Sequence, residues 1–174
     1  MRTLKKAAAA LRDAEIPFLL AGGLAIWARG GTESDHDIDF FVKRADAERA
    51  LETLVQAGMR PEQPPEQWLY KAHDDGWMVD LIFDPAGLTV DDELFARASI
   101  QEVKAMEMRV MRPDDVLLTK LLAMNEHSMN FESCLEIARQ LREQIDWDYV
   151  RRRTNGSPFA RAFFELVDGL KIAA

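Results

Sequence analysis

Hydrophobic residues repeat at helical spacing in some stretches of this chain and cluster into short apolar runs in others. The first pattern predicts helices and the second predicts strands. Helices are predicted over residues 4–14, 22–29 and 45–57, and strands over residues 17–21, 37–43, 68–72 and 78–83. The turn sequence Asp74-Asp75-Gly76 joins the last two strands into a hairpin. Three prolines between residues 60 and 66 predict an extended surface loop before that hairpin.

The second half of the chain is predicted to be mainly helical. A short helix over residues 91–97 and short strands over 99–104 and 108–111 end the predicted sheet. Four helices are then predicted. The first begins at Pro113, the second covers residues 131–143, the third ends at Asn155-Gly156 and the last begins after Ser157. The pattern favours an α/β fold of the α+β type, with a mixed sheet of about four or five strands, helices on one side and a C-terminal helical bundle. We expect residues 1–111 to form the core and residues 112–174 to pack on it.

Composition and charge narrow the class of protein. The 174 residues carry a formal charge of −8, and residues 1–100 hold 18 acidic against 11 basic residues. This distribution argues against a broad basic surface for nonspecific nucleic-acid binding. No long apolar span and no signal-peptide pattern is present, which predicts a soluble, cytoplasmic protein without membrane contact. The single cysteine, Cys134, lies on a predicted apolar helix stripe and is expected to be a buried hydrophobe.

Candidate chemistry centres on the stretch His36-Asp37-Ile38-Asp39-Phe40-Phe41-Val42. Successive strand residues point to opposite faces, so Asp37 and Asp39 lie side by side on one face. Hard divalent cations prefer carboxylate oxygens, and such a cation would offset the repulsion between the two acids. The alternative is a solvated strand start in which Asp37 only ends a polar loop.

The upstream turn Gly22-Gly23 strengthens the metal hypothesis. It joins a predicted strand to a predicted helix, where glycine backbone N–H groups and the helix N-terminus can approach a phosphate. A polar loop containing Ser34 follows the helix and could fold over a bound nucleotide, or it could be a simple connection. A phosphate-binding turn followed shortly by a strand with two acids predicts a triphosphate beside its metal.

The Gly-Gly turn and the Asp37-x-Asp39 strand resemble the nucleotidyltransferase superfamily built on the DNA polymerase β-like core. The resemblance covers residues 15–83 well and the C-terminal helices loosely, and it is nearest to the AbiEii and MenT toxin-type enzymes and their relatives. It implies Mg²⁺ or Mn²⁺ as cofactor, a nucleoside triphosphate as substrate, a tRNA or protein acceptor and an antitoxin partner. The stretch Ser128–Glu132 lacks the Lys-Asp or Arg-Asp pair of several toxin-type relatives.

Two further site residues follow from the resemblance. Its third acid matches Asp80, which sits in an apolar run, where a carboxylate is rarely buried unless it is paired or bound to metal. Its phosphate-binding lysine matches Lys120, the one charge in an apolar helix segment. The alternative for Lys120 is a structural side chain that extends its amine to solvent.

The predicted function is metal-dependent transfer of a nucleoside monophosphate from a triphosphate to an acceptor hydroxyl of RNA or protein. Asp37, Asp39 and Asp80 would bind metal, while Gly22, Gly23, Ser34 and Lys120 would bind the triphosphate. A small-molecule enzyme, similar to the aminoglycoside nucleotidyltransferases, and a non-catalytic nucleotide- or partner-binding module remain alternatives. A basic face at Arg151 to Arg153 would favour RNA, and an acidic cleft would favour a cationic small molecule.

Overall fold

A computed structural model describes residues 2–32, 37–62 and 64–173. These residues contain eight α-helices and seven strands, and the last four helices follow one another. The helices are α1 Arg2–Asp13, α2 Gly22–Ala28, α3 Ala47–Gln56, α4 Asp92–Arg97, α5 Pro113–Ala123, α6 Phe131–Leu141, α7 Trp147–Thr154 and α8 Pro158–Gly169. The strands are β1 Phe18–Leu20, β2 Asp37–Val42, β3 Arg60–Glu62, β4 Leu69–Asp74, β5 Trp77–Ile82, β6 Ser99–Val103 and β7 Met106–Val110.

The strands of the described residues form one mixed sheet in the order β3-β4-β5-β2-β1-β7-β6. The predicted α+β class is therefore confirmed, but the predicted strand number was too low. The stretch predicted as a loop contributes β3, in which Pro61 pairs with Ala72 of β4 at the edge of the sheet. Proline is tolerated there because an edge strand does not need every backbone N–H for pairing.

The predicted hairpin is confirmed, and its turn residues are Asp75 and Gly76. Both have positive φ angles, of 51° and 80°, as a type I′ turn requires. Asp74 is the last residue of β4, and it accepts hydrogen bonds from Thr3 and Lys6 of α1. Helix α1 thereby attaches to the sheet at the hairpin.

The two faces of the central strands have different environments. Ile38, Phe40 and Leu81 point to one face and are fully buried in the hydrophobic core, to which α1 and α3 contribute. The opposite face carries the acids of β2 and β5. Strand β5 pairs with its hairpin partner β4 in antiparallel orientation and with β2 in parallel orientation.

Buried charges join the C-terminal helices to the core. Asp115, in the first turn of α5, is 1% exposed and accepts hydrogen bonds from Arg97 of α4 and from Tyr149 of α7. The adjacent Asp114 is paired with Arg112. Asp115 therefore connects three helices, α4, α5 and α7. The division at residue 111 remains a prediction.

Candidate functional site

The acids Asp37, Asp39 and Asp80 lie on one face of the sheet. Asp37 and Asp39 are alternate residues of β2, and Asp39 is in register with Asp80 of β5. Directly paired residues of neighbouring strands point to the same side and lie about 5 Å apart. The sheet topology thus brings together three acids that are up to 43 positions apart in sequence.

Gly22 begins α2 directly against Asp39. Its φ of +56° is in the left-handed region, and a Cβ atom at this position would collide with the Asp39 carboxylate. The backbone N–H of Ala21 donates to the carbonyl of Asp39 at 2.9 Å, which fixes the strand to the turn. Only glycine fits here without displacing the acid.

Burial and like charge raise the pKa of Asp39 to about 6. Loss of solvent is the largest cause, followed by the charge of Asp80, while the nearby Lys120 acts in the opposite direction. Burial also raises the pKa of Asp80, against a lowering by Lys71. Asp39 and Asp80 therefore carry negative charge that water solvates poorly.

Lys71 of β4 pairs with Asp80 through both carboxylate oxygens. Its Nζ donates to Oδ1 at 3.0 Å and to Oδ2 at 3.1 Å. The two side chains are only 19% and 14% exposed. The sequence interpretation missed Lys71, although the two-residue hairpin turn already places it opposite Asp80.

The donor atoms on this face fit a divalent cation. Asp37 and Asp39 offer hard oxygens on one face, and a bound cation would offset both the burial and the charge repulsion that raise the pKa of Asp39. No group of three His, Cys, Asp or Glu side chains among the described residues is arranged to hold a metal. The third acid, Asp80, instead has Lys71 as its partner.

A polar cleft of about 280 Å³ has Asp39 and Lys120 among its lining residues. Helix α6 closes it through hydrogen bonds to Thr32: the Thr32 hydroxyl donates to Glu136 at 2.8 Å, and its backbone N–H donates to Gln140 at 2.8 Å. Its walls also include Gly23 and Asp37. Three carboxylates and one lysine make this cleft net acidic.

A larger and more apolar cleft, of about 720 Å³, is also lined by Asp39 and Lys120. Trp68, which is 42% exposed, stands in its wall with Phe41 and Ile82. Gly22 also lines this cleft. Asp39 and Lys120 therefore line two cavities of different chemistry.

The remaining predicted residues have separate outcomes. Ser34 lies outside the described residues. Cys134 is fully buried, as expected, and burial raises the pKa of its thiol to about 11. Arg151 pairs with Asp168, and Arg153 donates to the carbonyl of Gly87 at 3.0 Å. Two of the three consecutive arginines thus contact other groups of the same chain.

Sequence reasoning also missed Trp68, Glu136 and Gln140. Each belongs to an ordinary surface or helix pattern, and only the packing of α6 and of the hairpin on the acidic face brings them to the clefts.

No helix in the described residues is long and apolar enough to cross a membrane.

Solved structures share this fold at low sequence identity. The antibiotic-resistance factor ANT(2'')-Ia has a TM-score of 0.66 at 15% identity, over 98% of this chain and 95% of its own. The lincosamide antibiotic adenylyltransferase LnuA has a TM-score of 0.58 at 12% identity, over 79% and 93%. JHP933 from Helicobacter pylori has a TM-score of 0.58 at 13% identity, over 99% and 77%.

The sequence comparisons define the family. No curated protein sequence matches the chain. The sequence model of the family described as "Uncharacterised nucleotidyltransferase" matches residues 1–168. These residues include both clefts and the whole acidic face. The chain is therefore an enzyme that belongs to this nucleotidyltransferase family.

Proposed function

We propose that this enzyme transfers a nucleoside monophosphate from a triphosphate to a hydroxyl group of a small, cationic acceptor. The observation that carries the proposal is that Asp39 and Lys120 line two clefts, one acidic and polar, the other more apolar. A reaction that joins two substrates needs both of them beside the same catalytic groups. The family supplies the reaction class, and the clefts suggest the two substrates.

The apolar cleft suits the nucleoside. The Trp68 ring offers a flat surface on which a base can stack, and Phe41 and Ile82 add apolar walls. Gly22 starts α2 at the border of this cleft, where backbone N–H groups could bind the phosphates. Lys120 would contact the phosphates from α5.

The acidic cleft suits an acceptor that carries amino groups. The Glu136 carboxylate would attract a cation and repel a triphosphate. Two structural neighbours support a small acceptor: one was solved with adenylyl-2''-tobramycin, and the other is a lincosamide adenylyltransferase bound to lincomycin. The similarity to these neighbours alone would establish only the fold.

Asp37 and Asp39 would hold a divalent cation, Mg²⁺ or Mn²⁺. When bound, this cation would neutralise charge on the triphosphate. Asp80 would accept the proton of the acceptor hydroxyl, whose oxygen then forms the bond to the α-phosphorus as the bond to pyrophosphate breaks. Lys71 would keep the Asp80 carboxylate oriented and ionised for this step.

A toxin-type enzyme with an RNA or protein acceptor and an antitoxin partner is a different prediction, and it stays open to the same experiment. Purified enzyme would be incubated with each radiolabelled triphosphate and with separate pools of cell RNA, protein and cationic metabolites. We expect label in the metabolite pool and a requirement for Mg²⁺ or Mn²⁺. Label in RNA or protein would overturn the proposed acceptor, and no transfer to any pool would overturn the proposed activity.

A further inference from the structure

Lys71, Asp80 and Asp39 form a ladder of charges across three neighbouring strands. Lys71 is in register with Asp80, and Asp80 is in register with Asp39. Because directly paired residues point to the same side, the three side chains follow one another on one face as cation, anion and anion. Asp37 lies two residues from Asp39 on the same face.

The Lys71 ammonium lies at the outer end of this ladder, on the strand of the three that is nearest the sheet edge. Its Nζ lies 3.0 and 3.1 Å from the two oxygens of Asp80, so both oxygens already have a positive partner. At 19% and 14% exposure, neither side chain could find full solvation if the pair separated. A divalent ion on Asp80 would also have to lie beside the ammonium, where like charges repel strongly at low dielectric.

This step rests on the proposed function, in which Asp37 and Asp39 bind the divalent cation. We infer that Lys71 acts as a built-in cation that keeps Asp80 out of the metal's ligand set. The chain then binds one divalent ion, on Asp37 and Asp39, in place of the two that three free carboxylates could hold. Lys71 is a positioning residue, since it acts through Asp80.

Counting bound Mn²⁺ by electron paramagnetic resonance tests this inference without any measurement of activity. Mn²⁺ would be titrated into purified enzyme that contains a non-hydrolysable ATP analogue. We expect one bound ion per chain in the wild type and two in Lys71→Met, which keeps the length of the side chain but removes its charge. Lys71→Gln provides a second neutral variant in case the first does not fold.

Two control variants complete the experiment. Lys71→Arg keeps the positive charge and should keep the count at one. Lys71→Met combined with Asp80→Asn should return the count from two to one, which would show that the added ion uses Asp80. An unchanged count in both neutral variants, or two ions in the wild type, would overturn the inference.

The proposed metal site has its own control. Asp39→Asn should lose the ion that the wild type binds. If Asp39→Asn keeps that ion, the proposed role of Asp39 is wrong, whatever the Lys71 variants show. If Asp39→Asn loses it while the neutral Lys71 variants still bind one, the metal site stands and only the inference about Lys71 fails.

Discussion

Gly22 leaves the space that the Asp39 carboxylate occupies. The glycine starts α2 with a φ of +56°, and the space where its Cβ would lie is filled by Oδ2 of Asp39. The turn and the acid are therefore one unit, in which the missing side chain of the first allows the position of the second. This contact also explains why Gly-Gly and Asp-x-Asp are informative together.

Gly22→Ala should move Asp39 and weaken metal binding. The substitution adds two penalties, because alanine is strained at this φ and its Cβ overlaps a carboxylate. The backbone strain alone costs about 1–2 kcal/mol. We expect a larger loss in the free energy of unfolding, measured by urea denaturation, and a loss of Mn²⁺ affinity.

Gly76→Ala is the matched control for this prediction. Gly76 also has a positive φ, of +80°, but nothing lies within 4 Å of its Cβ position. This variant should show the backbone penalty alone and unchanged Mn²⁺ affinity. Equal effects of the two substitutions on stability and on Mn²⁺ would mean that the contact with Asp39 is unimportant.

Without metal, the buried charge of Asp39 should make stability fall as pH rises from about 4 to 7. The folded pKa of about 6 exceeds the unfolded value of 3.8, so the folded state binds more protons in this range. At 1.36 kcal/mol per pKa unit, the loss amounts to at most about 3 kcal/mol. Urea denaturation in EDTA across this pH range would measure it.

The Asp39→Asn variant isolates this effect. Its stability should exceed that of the wild type at pH 7 and approach it at pH 4, because asparagine carries no charge at either pH. Asp74 has the opposite sign, since its hydrogen bond with Lys6 lowers its pKa. Because neither its folded nor its unfolded pKa exceeds 3.8, Asp74→Asn should lose stability relative to the wild type as pH rises to about 4, and the difference should then stay nearly constant up to pH 7. A pH-independent difference between Asp39→Asn and the wild type would contradict the assignment.

Local sequence rules predicted the parts of the site that depend on near neighbours. The Gly22-Gly23 turn, the strand with Asp37 and Asp39, and the Asp75-Gly76 hairpin all follow from turn chemistry and alternation. The two-residue turn even fixes the register, since Asp74 opposite Trp77 requires Lys71 opposite Asp80. Lys71 could therefore have been found from the sequence.

Local sequence rules could not predict the parallel pairing of β2 with β5. These strands are separated by α3 and the β3–β4 segment, and no turn sets their register. The same limit applied to Glu136 and Trp68, which reach the site by packing between distant elements. The Arg60–Glu62 strand was missed because prolines normally indicate a loop, and only pairing with β4 reveals an edge strand.

Lys120→Met should weaken triphosphate binding without unfolding the protein. A hydrogen bond to a charged group contributes about 1.5–3 kcal/mol, which is roughly 10- to 150-fold in affinity. Isothermal titration calorimetry with Mg²⁺ and a non-hydrolysable ATP analogue would measure the change. Lys5→Met, on the exposed surface of α1, should bind as the wild type does. Equal affinities of Lys120→Met and wild type would show that Lys120 has only a structural role.

Two substitutions should separate the proposed nucleoside cleft from the acceptor cleft. Trp68→Ala removes a stacking surface and should weaken nucleotide binding by about 1–3 kcal/mol per stacked base. Glu136→Gln removes a negative charge from the polar cleft and should raise the KM of an aminated acceptor roughly tenfold. Each variant should leave the affinity for the other substrate near the wild-type value. Steady-state kinetics with both substrates varied would measure these effects. If Trp68→Ala instead weakened acceptor binding and Glu136→Gln weakened nucleotide binding, the two clefts would have to be assigned the other way round.

The salt dependence of tRNA binding should be shallow. Log affinity falls by about 0.9 per tenfold rise in salt for each phosphate neutralised on a duplex. Arg151 and Arg153 are engaged with Asp168 and Gly87, so few cations of α7 are available for RNA phosphates.

Arg139 and Arg152 are exposed, and replacing both with alanine tests whether these two side chains contact RNA. Fluorescence anisotropy with labelled tRNA over a salt series should give a slope below one for the wild type and no further change in the double variant. A steep slope that the double variant reduces by about two units would instead favour RNA as the acceptor.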